Sequence, residues 1–318
     1  MPSALTASGI ARALVCPAAY ALPAVSTPAG IGAARGTLVH AYYEAVNAGV
    51  SREEALERVS DLTAREMLAA VDLAEVPVGR AEVAFAWDPR SGKGRELVSS
   101  TGHRDYSDLR PGEIAGTVDL LSLDLTRNTA LVIDWSTDHD LDVPAKRAQV
   151  EVYQLMVART YGLSQVLGAI GSHRHDGTLA WHRWALDAWD LGEIAARVRS
   201  ALERIEQTRT VVASGQTPDV SMGSWCRDCK AWLACPGVAQ AIRLAQGPGL
   251  SVSDKAPDLE QLGTAYDAAR LAERWSDHVR ELARAQVERA GSLALPGGKR
   301  LVQSTDSRGR KSLRVIKA

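Results

Sequence analysis

The sequence predicts an α/β protein, a mixed central sheet with helices on its faces. Runs of strand length and character occupy 80–87, 113–125 and 130–136. A helical pattern at 144–161, two further strands and a long amphipathic helix follow them. Interleaving of this kind, with strands brief and helices long, is how a sheet acquires a helical layer on each side.

Taken in order, Ser8 is placed to cap a short helix reaching Ala13, after which Cys16 and an Ala/Pro-rich connection follow. Cys16 taken alone reads as a small buried hydrophobe. From Gly36, residues Leu38, Ala41, Tyr42 and Ala45 recur at helical spacing and Gly49 supplies the stop. His40 lies inside this helix, where the plain reading is a core histidine. Ser51 and Glu54 form a capping-box pattern for a helix running toward Val71. In 80–87, Ala81, Val83, Phe85 and Trp87 fall on one side and Glu82 on the other, read first as a solvated strand residue, with a third acid near the site as the alternative. Strands 113–125 and 130–136 are joined by a turn at 126–128, and Pro144 opens the helix to Tyr161. Strands at 165–172 and 178–186 flank a hairpin tip, and His173, Arg174 and His175 read as tip residues without chemistry. Asp190 caps a helix with Leu191, Ile194, Val198 and Ile205 on its apolar face. The stretch 247–257 reads as a linker. A helix from Asp258 with Leu259, Leu262, Leu271 and Trp275 at its apolar positions precedes a tail with seven Lys/Arg against one Asp from Lys299 onward. The expected organisation is a domain at 1–246, the linker 247–257, and a helical extension with basic tail at 258–318.

Composition excludes little. The net charge of -1 argues neither for nor against nucleic acid, so any affinity for phosphate must come from local patches. The N-terminus lacks the basic start of a signal peptide, and no stretch approaches the roughly 18 apolar residues of a membrane span. A cytoplasmic protein without membrane contact is expected.

Two features carry chemistry. Asp119 and Asp134 each sit among apolar residues of a strand, where a lone carboxylate is costly unless a cation offsets its desolvation. Gln149 and Tyr153 lie one turn apart on the helix that follows. The second feature is Cys226-x2-Cys229-x5-Cys235, with Cys16 the only other cysteine. Four thiolates suit tetrahedral zinc or an iron–sulfur cluster, and spacing does not choose between them.

A lone early cysteine, GTLVHAYYEA, GTVDLL, VIDWST, QVEVYQL and the final cysteine triplet form an ordered set. The set resembles the RecB-like, iron–sulfur branch of the PD-(D/E)XK nuclease superfamily. That branch includes the CRISPR-adaptation exonucleases, the AddB nuclease domain and a phage-encoded group of unknown function. The resemblance covers most of 10–245 and implies a restriction-endonuclease-like sheet clamped by a 4Fe-4S cluster. It implies a DNA nuclease using Mg or Mn, acting on single-stranded or free ends in phage or bacterial recombination, repair or defence, with a protein partner in such a complex. Residue by residue, His40, Asp119, Asp134 and the carbonyl of Trp135 match the metal-binding positions. Gln149 and Tyr153 match the QxxxY element, and Cys16, Cys226, Cys229 and Cys235 match the cluster ligands.

One departure stands out. The family motif has a lysine two residues after the second acid, and this chain has Ser136. Three readings stay open: Lys146, at the start of the next helix, reaches back to the site; the protein is a non-catalytic DNA-binding or protein-interaction relative; or the serine is a deliberate inactivating change.

Overall fold

The computed structural model describes residues 5–24, 31–97, 106–137, 143–174, 178–226, 229–246, 273, 276, 279–281, 283–305 and 311–317. The linker 247–257, the start of the helix at Asp258 and the hairpin tip with His175 fall outside them. Two compact units divide the chain, residues 1–21 with 29–216 and residues 22–28 with 217–318.

The first unit begins with α1 (Ala7–Val15), α2 (Ala18–Ala21), α3 (Ile31–Asn47), α4 (Arg52–Glu57) and α5 (Leu62–Ala69). There follow β1 (Arg80–Trp87), β2 (Gly94–Glu96), β3 (Ile114–Asp124), β4 (Thr129–Ser136), α6 (Val143–Tyr161), β5 (Gln165–His173), β6 (Leu179–Leu186) and α7 (Ala188–Ala213). The strands make one six-stranded sheet in the order β2-β1-β3-β4-β5-β6. Only β4 and β5 pair in parallel, as their connection through α6 requires. One face packs Val83, Phe85, Val118, Val132 and Ile170 against α1, α6 and α7; the other packs Leu120, Ile133 and Trp135 against α3, α4 and α5. The expected mixed sheet between helical layers is therefore present.

Local chemistry explains several departures from expectation. Thr6, not Ser8, caps α1, since its hydroxyl accepts from the Gly9 amide. The single helix expected from Ser51 toward Val71 is two, because Asp61 accepts from the Ala64 amide and starts α5 afresh. Asp187 caps α7, with Asp190 as the reciprocal partner in a capping box. His173 is no tip residue: it ends β5 and is 1% exposed.

In β1 the alternation inverts. Ala81 belongs to the α3 side, whereas Val83, Phe85 and Trp87 belong to the α6 side. A regular strand would put 81 and 83 on one face. Glu82 between them has φ +49°, a left-handed conformation that turns the strand over.

In the second unit, α8 (Pro236–Gln246) follows the cysteines. The tail expected only as a basic extension forms β7 (Ser292–Leu295), β8 (Lys299–Thr305) and β9 (Lys311–Lys317), an antiparallel sheet. Gly297 and Gly298, both at positive φ, allow the tight β7–β8 turn. Among the described residues no helix is long and apolar enough to cross a membrane.

Candidate active site

The sheet forks where its acids lie. Pairing of β3 with β4 runs from Asp124↔Thr129 only as far as Leu120↔Ile133. Beyond that point β3 continues beside β1 to Trp87↔Ile114, and β4 continues beside β5 to Ser136↔Ser172. Asp119 and Asp134 are the next residues on the two diverging strands. The fork is held open in a specific way: the backbone N–H of Trp135, lacking a ladder partner on β3, donates to Asp119 Oδ2 at 2.7 Å.

Across β3, the register would set Glu82 opposite Asp119, but the left-handed Glu82 interrupts the pairing between Ala81↔Leu120 and Val83↔Val118. Its carboxylate turns instead toward α3, where His40 Nδ1 lies 2.9 Å from Glu82 Oε1 and 3.3 Å from Asp119 Oδ1. Glu82 is thus a site residue, not the solvated strand residue its alternation suggests. Non-glycine residues rarely adopt this backbone conformation, which concentrates at functional sites.

From the other side, α6 delivers three successive contacts. Lys146 Nζ sits 2.5 Å from Asp134 Oδ2. Gln149 Nε2 donates to Asp134 Oδ1 at 3.1 Å and to the Tyr153 hydroxyl at 2.7 Å. Tyr153 can lie against the sheet because residue 116 is glycine, where a Cβ would come within 2.8 Å of the Tyr153 ring. The GTVD glycine and the QxxxY tyrosine are therefore two halves of one contact. Trp135 is fixed similarly, lying over Gly171 and stacked on Tyr43 with centroids 4.1 Å apart. Ser136 is buried at the end of β4.

Charge is unevenly shared. Burial works against protonated His40, yet the carboxylates of Asp119 and Glu82 outweigh it and raise its pKa to about 10. Burial would raise the pKa of Asp119, but His40 and then Lys146 hold it below the usual carboxylate range. Asp134 is pushed up to about 6 by burial and by Asp119, with Lys146 pulling the other way. Burial lowers His173 to about 4, helped by the neighbouring charge of His40.

Potential ligand atoms of His40, Glu82 and Asp119 all lie within 4.8 Å of one another. Two carboxylates and an imidazole around one point suit a small divalent cation such as Mg²⁺ or Mn²⁺, and His40 must shed its proton to join them. Cys16 is buried after α1 in the first unit, while Cys226, Cys229 and Cys235 are half-buried in the second, and none is in a disulfide.

A mixed sheet between helical layers is forked over buried carboxylates with an imidazole and an ammonium beside them, a donor set able to hold a divalent cation. The chain belongs to the PD-(D/E)XK nuclease superfamily, whose family model matches residues 4–236. A search of curated proteins gives no match. Among solved structures the chain is similar to one titled "Crystal structure of SSO0001", at 14% identity over 64% of this chain and 84% of that one, with a TM-score of 0.28.

Proposed function

We propose that the protein is a metal-dependent DNA nuclease in which Lys146 takes the place of the lysine missing at Ser136. The observation that carries this reading is the Lys146 ammonium 2.5 Å from Asp134, delivered from α6 rather than from β4. In this reading His40, Glu82 and Asp119, with Asp134 and the Trp135 carbonyl, hold Mg²⁺ or Mn²⁺. When bound, such a cation polarises a phosphoryl oxygen and acidifies water. Lys146 supplies the positive charge that meets the negative charge developing on the phosphoryl group. Gln149 fixes the Asp134 carboxylate, and Tyr153 fixes Gln149.

Action on single-stranded or free DNA ends, and a cytoplasmic role in phage or bacterial recombination, repair or defence with a protein partner, follow from the resemblance to the RecB-like branch. The same resemblance supports assigning Cys16, Cys226, Cys229 and Cys235 to a 4Fe-4S cluster that joins the two ends of a 1–246 nuclease domain. The family match begins ahead of Cys16 and ends just past Cys235. Iron and acid-labile sulfide in the purified protein test this, and equimolar zinc without iron contradicts it.

The nuclease reading is tested by Mn²⁺-dependent release of nucleotides from labelled DNA, abolished in Asp119→Ala. If the wild-type holoprotein binds DNA but cuts none, the non-catalytic reading replaces it.

A further inference from the structure

Two strands of the C-terminal sheet, β8 and β9, carry only positive charge. The sheet's three strands, SLAL, KRLVQST and KSLRVIK, contain five Lys/Arg and no Asp or Glu. The register places Lys299 directly opposite Lys317, two like charges that repel across the ladder. Arg300 and Arg314 share the other face as diagonal neighbours, since Arg300 pairs with Ile316 and Arg314 with Val302. All five cations are exposed, and among the described residues none has a carboxylate partner.

Charges on an edge strand are a common guard against sheet-to-sheet aggregation. That explains Lys311, Arg314 and Lys317 on the edge strand β9, but not Lys299 and Arg300, which stand on the central strand β8. A polyanion lying along the face that carries Lys299, Lys311 and Lys317 would relieve the repulsion between its facing lysines. On that face Thr305, paired with Lys311, adds an exposed hydroxyl, a combination suited to phosphate oxygens and not to base reading.

We propose that the face of the β7–β9 sheet carrying Lys299, Lys311 and Lys317 is a sequence-independent binding surface for the DNA phosphate backbone, carried on a different unit from the candidate active site. The choice of DNA as the polyanion rests on the nuclease reading; the surface itself does not.

The test is fluorescence anisotropy of labelled duplex DNA with the full-length protein in EDTA, where no cleavage intervenes, over a series of salt concentrations. The variant Lys299→Gln/Lys311→Gln/Lys317→Gln is expected to bind about tenfold or more weakly at low salt, with the log–log salt slope reduced by roughly 0.9 for each duplex phosphate that is no longer neutralised. The charge-keeping variant Lys299→Arg/Lys317→Arg is expected to bind like wild type, which separates an effect of charge from an effect of misfolding. Because the titration is run in EDTA, a failure of catalysis does not touch this result. Equal affinity and slope in the Gln variant, absence of DNA binding by wild type, or a Gln variant that merely self-associates would each overturn the proposal; binding only to anionic vesicles would also do so.

Discussion

At the residue scale, the proposed chemistry turns on Lys146 and Glu82. A lysine on β4 would point at the acids from within the strand, whereas Lys146 reaches Asp134 from the first turn of α6. Lys146→Ala should leave the fold intact, because the side chain is a quarter exposed. It should cut the rate about a hundredfold, the usual cost of removing one such charge-stabilising group, around 3 kcal/mol. Glu82→Gln removes a ligand charge and should weaken Mn²⁺ binding by isothermal titration while leaving β1 in place. Unchanged Mn²⁺ affinity would remove Glu82 from the site. His173 offers a pH test independent of activity. Its folded pKa of about 4 lies below the unfolded 6.5, so the unfolded chain binds the extra proton first. The contribution is present above pH 6.5 and lost as pH falls toward 4, on the order of 3 kcal/mol. Urea midpoints of wild type should therefore drop relative to His173→Gln over that window; parallel curves would show that His173 is not held neutral.

At the element scale, the site exists because β3 and β4 part company. The two acids and the apolar residues around them were legible in the sequence, since a carboxylate inside an apolar strand advertises its need for a partner. Helical spacing likewise brought Gln149 and Tyr153 onto one face, and Lys146 stood out once Ser136 was seen to lack a charge. Glu82 was legible only as the second of two readings: strict alternation assumes regular β dihedrals, and its left-handed backbone reverses the facing of every residue that follows in β1. Tyr43 and His173 were hidden for another reason, their 3.2 Å contact joining residues 130 apart in the chain. The Gly116–Tyr153 contact gives a direct test of how α6 is seated. Gly116→Val should destabilise by about 1–3 kcal/mol through overpacking and reduce cleavage by displacing Tyr153 from Gln149. Unaltered stability in chemical denaturation would show that the contact is loose.

At the scale of the whole molecule, one unit carries the sheet and its acids, and the other carries three cysteines and a small cationic sheet. The tail strands escaped sequence reading because cations interrupt their apolar alternation and two adjacent glycines suggest only a loop. The cysteine spacing was evident, but spacing carries no information about the distance from Cys16 to the others. The fork, His40, Glu82 and the α6 contacts converge on one claim, that the charge absent at Ser136 is supplied by Lys146. The most direct measurement is Mn²⁺-dependent DNA cleavage by four proteins side by side: wild type, Lys146→Ala, Ser136→Lys, and the Ser136→Lys/Lys146→Ala double variant. Wild type is expected to cut, Lys146→Ala to fall about a hundredfold in rate, and the double variant to regain a substantial part of it. Cleavage by Lys146→Ala at the wild-type rate, or none by wild type together with a gain in Ser136→Lys, would contradict that claim.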